Sequence, residues 1–287
     1  MSRKHEHRSQ GHTNYSFLVK FIVALIFLVI AIVFLKRQEP VSVAPRVSSP
    51  ADAQFSSSSY VKWVVDGDTV GLSNGEKVRY LGIDTPETHI FRNGHFADDP
   101  KPFGPEAAEF NRKLVQGKAV TLEYDVERLD KYKRTLAYVY VDGLFVNAEL
   151  VKNGYACVFI KSPNVKHADE LIKLQREARL AQRGMWGAVD KINAADAVNY
   201  IDQIRLVTGK VIGAKSSSNA LFLNLGVGEH KDFTVLIYKD ALKYFKYKGI
   251  DPVTYYRDKT IEVSGRIHEY NGPEIIVGYP GEIDIIE

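Results

Sequence analysis

Three aspartates, a glutamate and two arginines stand at spacings that suit one kind of chemistry. Asp66 and Asp68 flank a glycine, Asp84 and Glu87 follow, Arg79 precedes the last two, and Arg134 closes the run Asp130-Lys131-Tyr132-Lys133-Arg134. Carboxylates next to a backbone carbonyl are hard oxygen ligands that suit Ca²⁺ or Mg²⁺ and not zinc. Two guanidiniums can grip a phosphate from two sides with forked donors, which lysine cannot do. An anion held this way beside a divalent cation and a spare carboxylate is equipped for phosphodiester hydrolysis. Cation and guanidiniums offset charge on the phosphoryl oxygens, while Glu87 orients or deprotonates the attacking water. The bland alternatives are an Arg79–Glu87 pair that only holds a loop, a solvated Arg134, and an Asp66 that only caps a turn.

These side chains must be brought together by the elements around them. From Tyr60 the run "YVKWVVDGDTVGL", the hairpin signal Asn74-Gly75 and the run "EKVRYLGID" predict a three-stranded meander. In such a meander the ends of the first and third strands share one side, so the tip Asp66–Asp68 and Asp84 converge. Strict alternation would put Arg79 and Asp84 on opposite faces. A bulge near Gly82 or a turn beginning at Asp84 is therefore required. Gly104-Pro105 opens a helix whose apolar face carries Ala107, Phe110 and Leu114 and which ends at Gly117. Two strands, "AVTLEYDVE" and "RTLAYVYV", precede a turn at Asp142-Gly143. A short helix ending at Gly154, a strand "YACVFI" and a helix from about His167 to Gln182 complete the set. The economical solution is α+β: an OB-type five-stranded β-barrel with flanking helices.

Composition narrows the remaining choices. The chain has 287 residues, 45% of them hydrophobic, and a formal charge of +3, too small to argue for nucleic acid by itself. The single Cys157, in apolar surroundings, excludes an intramolecular disulfide and a cysteine zinc cage and reads as a small buried hydrophobe. Behind a basic N-terminal tail (1–16), segment 17–37 holds the uncharged run "FIVALIFLVIAIVFL". Its length approaches the roughly 20 residues that span a bilayer, so it is expected to be an uncleaved transmembrane helix. Flanking charge favours a single-pass protein with its bulk outside the cytoplasm. Residues 38–59, rich in Pro and Ser, read as a flexible linker.

The motifs "VVDGDTV", "VRYLGIDTPET", "FGPEA", "LDKYKRTLAYVYVDG" and "RGMW" occur in one order between Val61 and Trp186. This ordered set resembles the staphylococcal nuclease (thermonuclease) family. The resemblance implies a calcium-dependent phosphodiesterase that cleaves DNA and RNA with little sequence preference and leaves 3′-phosphate ends. It places the metal carboxylates at Asp68 and Asp84, with the backbone carbonyl of Thr85 as a further metal ligand. It places the phosphate-binding arginines at Arg79 and Arg134, the catalytic glutamate at Glu87, and substrate-phosphate contacts at Lys131 and Tyr132. Lys133 stands where the family usually has a glycine. The loop from His89 to Pro102 is longer than its counterpart; its His89, His95, Asp98 and Asp99 read as a solvated mobile loop and not as a second metal site.

On this reading 60–188 is a nuclease domain. Residues 203–287 form further strands around the segment "DALKYFKYKG", expected to be a helix capped by Asp240, with a hairpin at Asn271-Gly272. They are expected to make a second small OB-like β-barrel. Lys243, Lys246 and Lys248, interleaved with Tyr244, Phe245 and Tyr247, would offer it a surface for single-stranded nucleic acid, with a docking role as the alternative. The competing reading of the whole is a non-catalytic nucleic-acid-binding module tethered to a membrane.

Overall fold

A computed structural model describes the chain from Ser59 to Glu287 except residues 93, 94, 99 and 227–231, with only the backbone described across the rest of 89–98. The basic tail, the apolar segment 17–37 and all but the last residue of the linker lie outside the described residues. The expected membrane location is corrected: among the described residues no helix is long and apolar enough to cross a bilayer. The longest, Ala168–Leu180, has 13 residues against the roughly 20 required.

The meander forms as expected, from strands β1 (Ser59–Val64), β2 (Thr69–Leu72) and β3 (Lys77–Tyr80). A two-residue strand β4 (Ile83–Asp84) and a hairpin, β5 (His89–Arg92) with β6 (His95–Asp98), follow. The backbone of the long loop is thus a hairpin. Helix α1 (Gly104–Val115) leads into β7 (Ala119–Glu123), β8 (Thr135–Val141) and the short β9 (Leu144–Phe145). Then come α2 (Val146–Lys152), β10 (Cys157–Val158) and α3 (Ala168–Leu180). β1 pairs antiparallel with β7, β7 with β8, and β8 parallel with β3, which closes a five-stranded barrel. Val61, Val70, Leu72, Val78, Val120, Leu122, Ala137 and Val139 are buried in its interior. β10 pairs with β4, opposing Cys157 to Asp84, and the Cys157 thiol is buried as expected.

The remaining strands are β11 (Lys191–Asn193), β12 (Ile204–Ser216), β13 (Ala220–Leu225) and β14 (Phe233–Tyr238). Helices α4 (Leu242–Tyr247) and α5 (Pro252–Tyr255) precede β15 (Thr260–Arg266), β16 (His268–Glu269), β17 (Pro273–Ile276) and β18 (Ile283–Ile285). The expected second barrel is a curled sheet of order β16-β17-β14-β13-β12-β15-β18. The thirteen-residue β12 pairs with β15 along Ile204–Lys210 and with β13 along Val211–Ser216, so one bent strand serves both halves. Among the described residues β16 and β18 do not pair: with two and three residues they are too short to close the sheet.

This sheet packs on the first barrel across a polar seam. The Gln175 amide donates to Ser264 Oγ (2.9 Å), the Ile160 N–H to Glu282 Oε2 (3.2 Å) and the Tyr279 hydroxyl to Asp169 (3.1 Å). Arg179 pairs with Glu262 and Asp284, and Arg176 with Asp284. Two residues of the expected basic and aromatic face of α4 reach this seam, while Lys243, Lys246 and Tyr247 are exposed and Phe245 belongs to the core of the C-terminal sheet. Phe245 is buried, Tyr244 donates to the Pro163 carbonyl, and Lys248 pairs with Asp169. Ala241 stands at the N-cap in place of Asp240 and makes no side-chain cap.

Candidate active site

The requirement that Arg79 and Asp84 share a face is met by a turn. Leu81 and Gly82 interrupt the strand between β3 and β4, and Gly82 has φ 78°, a region a side chain rarely adopts. A Cβ there would lie 2.6 Å from Leu171 Cδ1, so glycine also answers to the packing of α3. The turn resets the alternation, and Arg79 Nη2 donates to Asp84 Oδ1 at 2.9 Å.

Asp68, at the β1–β2 tip, is buried. Its Oδ2 accepts the Thr85 N–H (2.8 Å) and hydroxyl (3.1 Å) and pairs with Arg79 Nη1 (2.7 Å). Burial pushes the Asp68 carboxyl up to about 7, against the pull of Arg79. Asp66 turns the tip by accepting the Asp68 N–H (3.0 Å), and its carbonyl accepts from the Asn111 amide (3.2 Å). Asn111 in turn accepts from the Tyr80 hydroxyl (3.0 Å). Asn111 is absent from the sequence reading. Its signal is a polar residue one turn beyond Ala107, on the apolar side of α1.

Glu87 stands at the rim, with its side chain 45% exposed, and burial raises its carboxyl above the ordinary range while Arg266 pulls it down. Its backbone is fixed by the Lys101 N–H donating to its carbonyl at 2.8 Å. Arg79 also donates to the carbonyls of Tyr80 (3.3 Å) and Ile83 (3.1 Å), so its guanidinium staples this loop. In this arrangement it pairs with Asp68 and Asp84, and the Arg79–Glu87 pair considered from the sequence is replaced by these two.

Arg134 lies on the far wall of a groove of about 260 Å³ that is also lined by Arg79, Lys131, Tyr132, Phe159 and Lys161. Its Nε donates to Asp130 Oδ2 at 2.6 Å, and its guanidinium lies 5.5 Å from the Tyr132 ring centre. Tyr132 is 68% exposed, so its ring is available to a ligand in the groove. The structure thus gathers Arg79, Lys131, Tyr132 and Arg134 along one groove; the same Arg79 pairs with Asp68 and Asp84, and Thr85 bonds to Asp68.

The residue that sequence reasoning missed is Arg266, the last of β15. Its Nε donates to Asp84 Oδ2 (2.9 Å), its Nη2 to the Thr85 carbonyl (2.7 Å) and its Nη1 to the Asp202 carbonyl (2.9 Å). Its Nη2 also lies 3.5 Å from Glu87 Oε1. No local motif announces it, because its partners lie 182 and 181 residues earlier. The consequence for a cation is direct. Asp68, Asp84 and the Thr85 carbonyl have the right oxygen chemistry for Ca²⁺, yet guanidinium or hydroxyl donors engage all of them. Among the described residues no three His, Cys, Asp or Glu side chains gather as a ready cage. The site in this arrangement does not fit a divalent cation.

Comparison with known proteins gives the family. The family model described as "Staphylococcal nuclease homologue" matches residues 77–188. A protein named Thermonuclease from Staphylococcus intermedius is 36% identical over 170 residues, covering 58% of this chain and 98% of that protein. Another Thermonuclease, from Staphylococcus hyicus, is 32% identical over 170 residues with the same coverage. Endonuclease YncB of Bacillus subtilis (strain 168) is 40% identical over 127 residues, covering 42% of this chain and 58% of that protein. Relatives matched over nearly their whole length, a closed five-stranded barrel and the acid and arginine set at its mouth lead to one assignment: the chain belongs to the staphylococcal nuclease family.

Proposed function

We propose that this protein is an endonuclease that hydrolyses phosphodiester bonds of DNA and RNA with low sequence specificity and leaves 3′-phosphate ends. The observation that supports this best is the single groove lined by Arg79, Lys131, Tyr132 and Arg134. In this reading Arg79 and Arg134 hold the phosphate, and Lys131 and Tyr132 contact it from the groove wall. Glu87 takes a proton from a water whose oxygen attacks phosphorus. The P–O5′ bond breaks, the 5′ oxygen takes a proton from solvent water, Glu87 returns its own to solvent, and the phosphate stays on the 3′ side. We assign the nuclease unit to 60–188 and an accessory unit to 203–287. Calcium is the cofactor the family resemblance brings, with Asp68, Asp84 and the Thr85 carbonyl as its ligands. It can take Asp84 Oδ2 and the Thr85 carbonyl only when the Arg266 guanidinium has withdrawn.

The test is incubation of the purified chain with long single-stranded DNA and with RNA, in Ca²⁺, in Mg²⁺ and in chelator. Expected are cleavage in Ca²⁺, new 3′ ends that a polymerase extends only after phosphatase treatment, and loss of cleavage in Arg79→Ala. Glu87→Gln is expected to keep DNA affinity while lowering turnover on the order of a hundredfold or more. Unchanged turnover would remove Glu87 from the mechanism. The ion pairs that engage Asp84 on both oxygens favour a second reading, a nucleic-acid-binding module. Binding without cleavage under every metal would select it.

A further inference from the structure

We infer that Arg266 is a residue of the active site contributed by the C-terminal sheet, and that it competes with a divalent cation for the oxygens of Asp84 and Thr85. The inference rests on the nuclease reading for the identity of those oxygens as cation ligands. The geometry is that of a stand-in cation. Arg266 Nη2 lies 2.9 Å from Asp84 Oδ2 and 2.7 Å from the Thr85 carbonyl, and its side chain is 11% exposed. Ca²⁺ would sit about 2.3–2.6 Å from those same oxygens. A guanidinium and a dication cannot share them: the lone pairs would be divided and two positive centres placed in contact. Arg79 holds the other oxygen of Asp84, so both oxygens of that carboxylate carry a guanidinium.

The backbone that carries Arg266 is fixed. β15 pairs with β12 along its whole length, Ser264 is bonded to Gln175 of α3, and Glu262 is paired with Arg179. Exchange between guanidinium and cation is therefore a movement of the Arg266 side chain and not of the sheet. A cavity of about 60 Å³ is lined by Asp84, Phe159, Arg266 and His268, so the side chain that would move borders free space. The cation affinity of the site is thus set by a residue outside the barrel. The C-terminal sheet acts as a determinant of the metal requirement.

The test measures Ca²⁺ binding to the full chain by titration calorimetry, with cleavage followed in parallel. Arg266→Gln, which removes the charge, is expected to bind Ca²⁺ at least tenfold more tightly than the unmodified chain. Arg266→Lys, which keeps the charge, should stay nearer to it. Arg176→Gln, which loosens the seam at Asp284 and the Gly281 carbonyl, should leave Ca²⁺ affinity unchanged. Equal or weaker binding in Arg266→Gln, or no Ca²⁺ binding at millimolar concentration in either protein, would overturn the inference. Should Arg266→Gln fail to fold, the Arg266 Nε–H resonance of the unmodified chain decides. It should shift on Ca²⁺ titration as the bond to Asp84 is lost, and a resonance that stays in place overturns the competition. Tighter Ca²⁺ binding in Arg266→Gln without cleavage in any protein would sustain the inference about the site and defeat the nuclease reading.

Discussion

Lys133 sits at φ 63°, inside a turn closed by the Lys133 N–H donating to the Asp130 carbonyl (3.0 Å). The Asp130 carboxylate accepts the N–H groups of Tyr132 (2.8 Å) and Arg134 (2.9 Å), so the turn is determined by its acid and tolerates a lysine in a left-handed conformation. That conformation costs an L-residue about 1–2 kcal/mol, which glycine avoids while losing some chain entropy. Lys133→Gly is therefore expected to stabilise the fold by up to about 1 kcal/mol, measured by urea unfolding. A less stable variant would mean the lysine side chain contributes contacts of its own. The residue types were legible at this scale because the family's acids and arginines stand in short, ordered motifs. Their pairing was not. Arg79 reads as a phosphate ligand from its type, but in the folded chain it first satisfies Asp68, Asp84 and two carbonyls.

Between elements, the decisive piece is the turn at Leu81-Gly82. Alternation alone forecasts that something must break the strand there, and Gly82 does so. Gly82→Ala would meet both the positive φ and Leu171 Cδ1 at 2.6 Å. It is expected to cost roughly 2 kcal/mol or more and to part Arg79 from Asp84. Thermal unfolding gives the first effect and loss of activity the second; a variant of unchanged stability would show that α3 can yield. The meander, the helices and the turns at Asn74-Gly75 and Asn271-Gly272 follow from local patterns and were readable. The C-terminal sheet is curled and barrel-like as read, but its closure was not legible, because that depends on whether strands as short as β16 and β18 reach one another. Likewise the lysines and tyrosines of α4 carry a nucleic-acid-like pattern, yet Tyr244 and Lys248 face the first barrel.

For the molecule as a whole, Glu282 ties the two halves together. Its carboxylate accepts the N–H groups of Gly278 and Tyr279 (both 2.8 Å) from its own sheet and of Ile160 (3.2 Å) from the first barrel. Burial pushes it up to about 8, and the three N–H groups pull it back only in part. The folded state therefore holds a proton that the unfolded chain releases near 4.5. Stability is fully present below about 4.5 and falls as pH rises towards about 8, by on the order of a few kcal/mol. Glu282→Gln should flatten this slope between pH 5 and 8 in urea unfolding; an unchanged slope would assign the loss elsewhere.

The span between Asp84 and its guanidinium also has a meaning in time. Chains are made from the N-terminus at roughly 5–20 residues per second, and N-terminal units fold first. Arg266 follows Asp84 by 182 residues, so roughly ten to forty seconds separate the synthesis of the carboxylate from that of its partner. For the later part of that interval, once β8 is made, a newborn barrel has Asp84 Oδ2 and the Thr85 carbonyl without Arg266, while Arg79 already holds Asp68 and the other oxygen of Asp84; the finished chain then engages them. If those oxygens are cation ligands, as proposed, the order of synthesis gives one polypeptide two successive metal-binding characters.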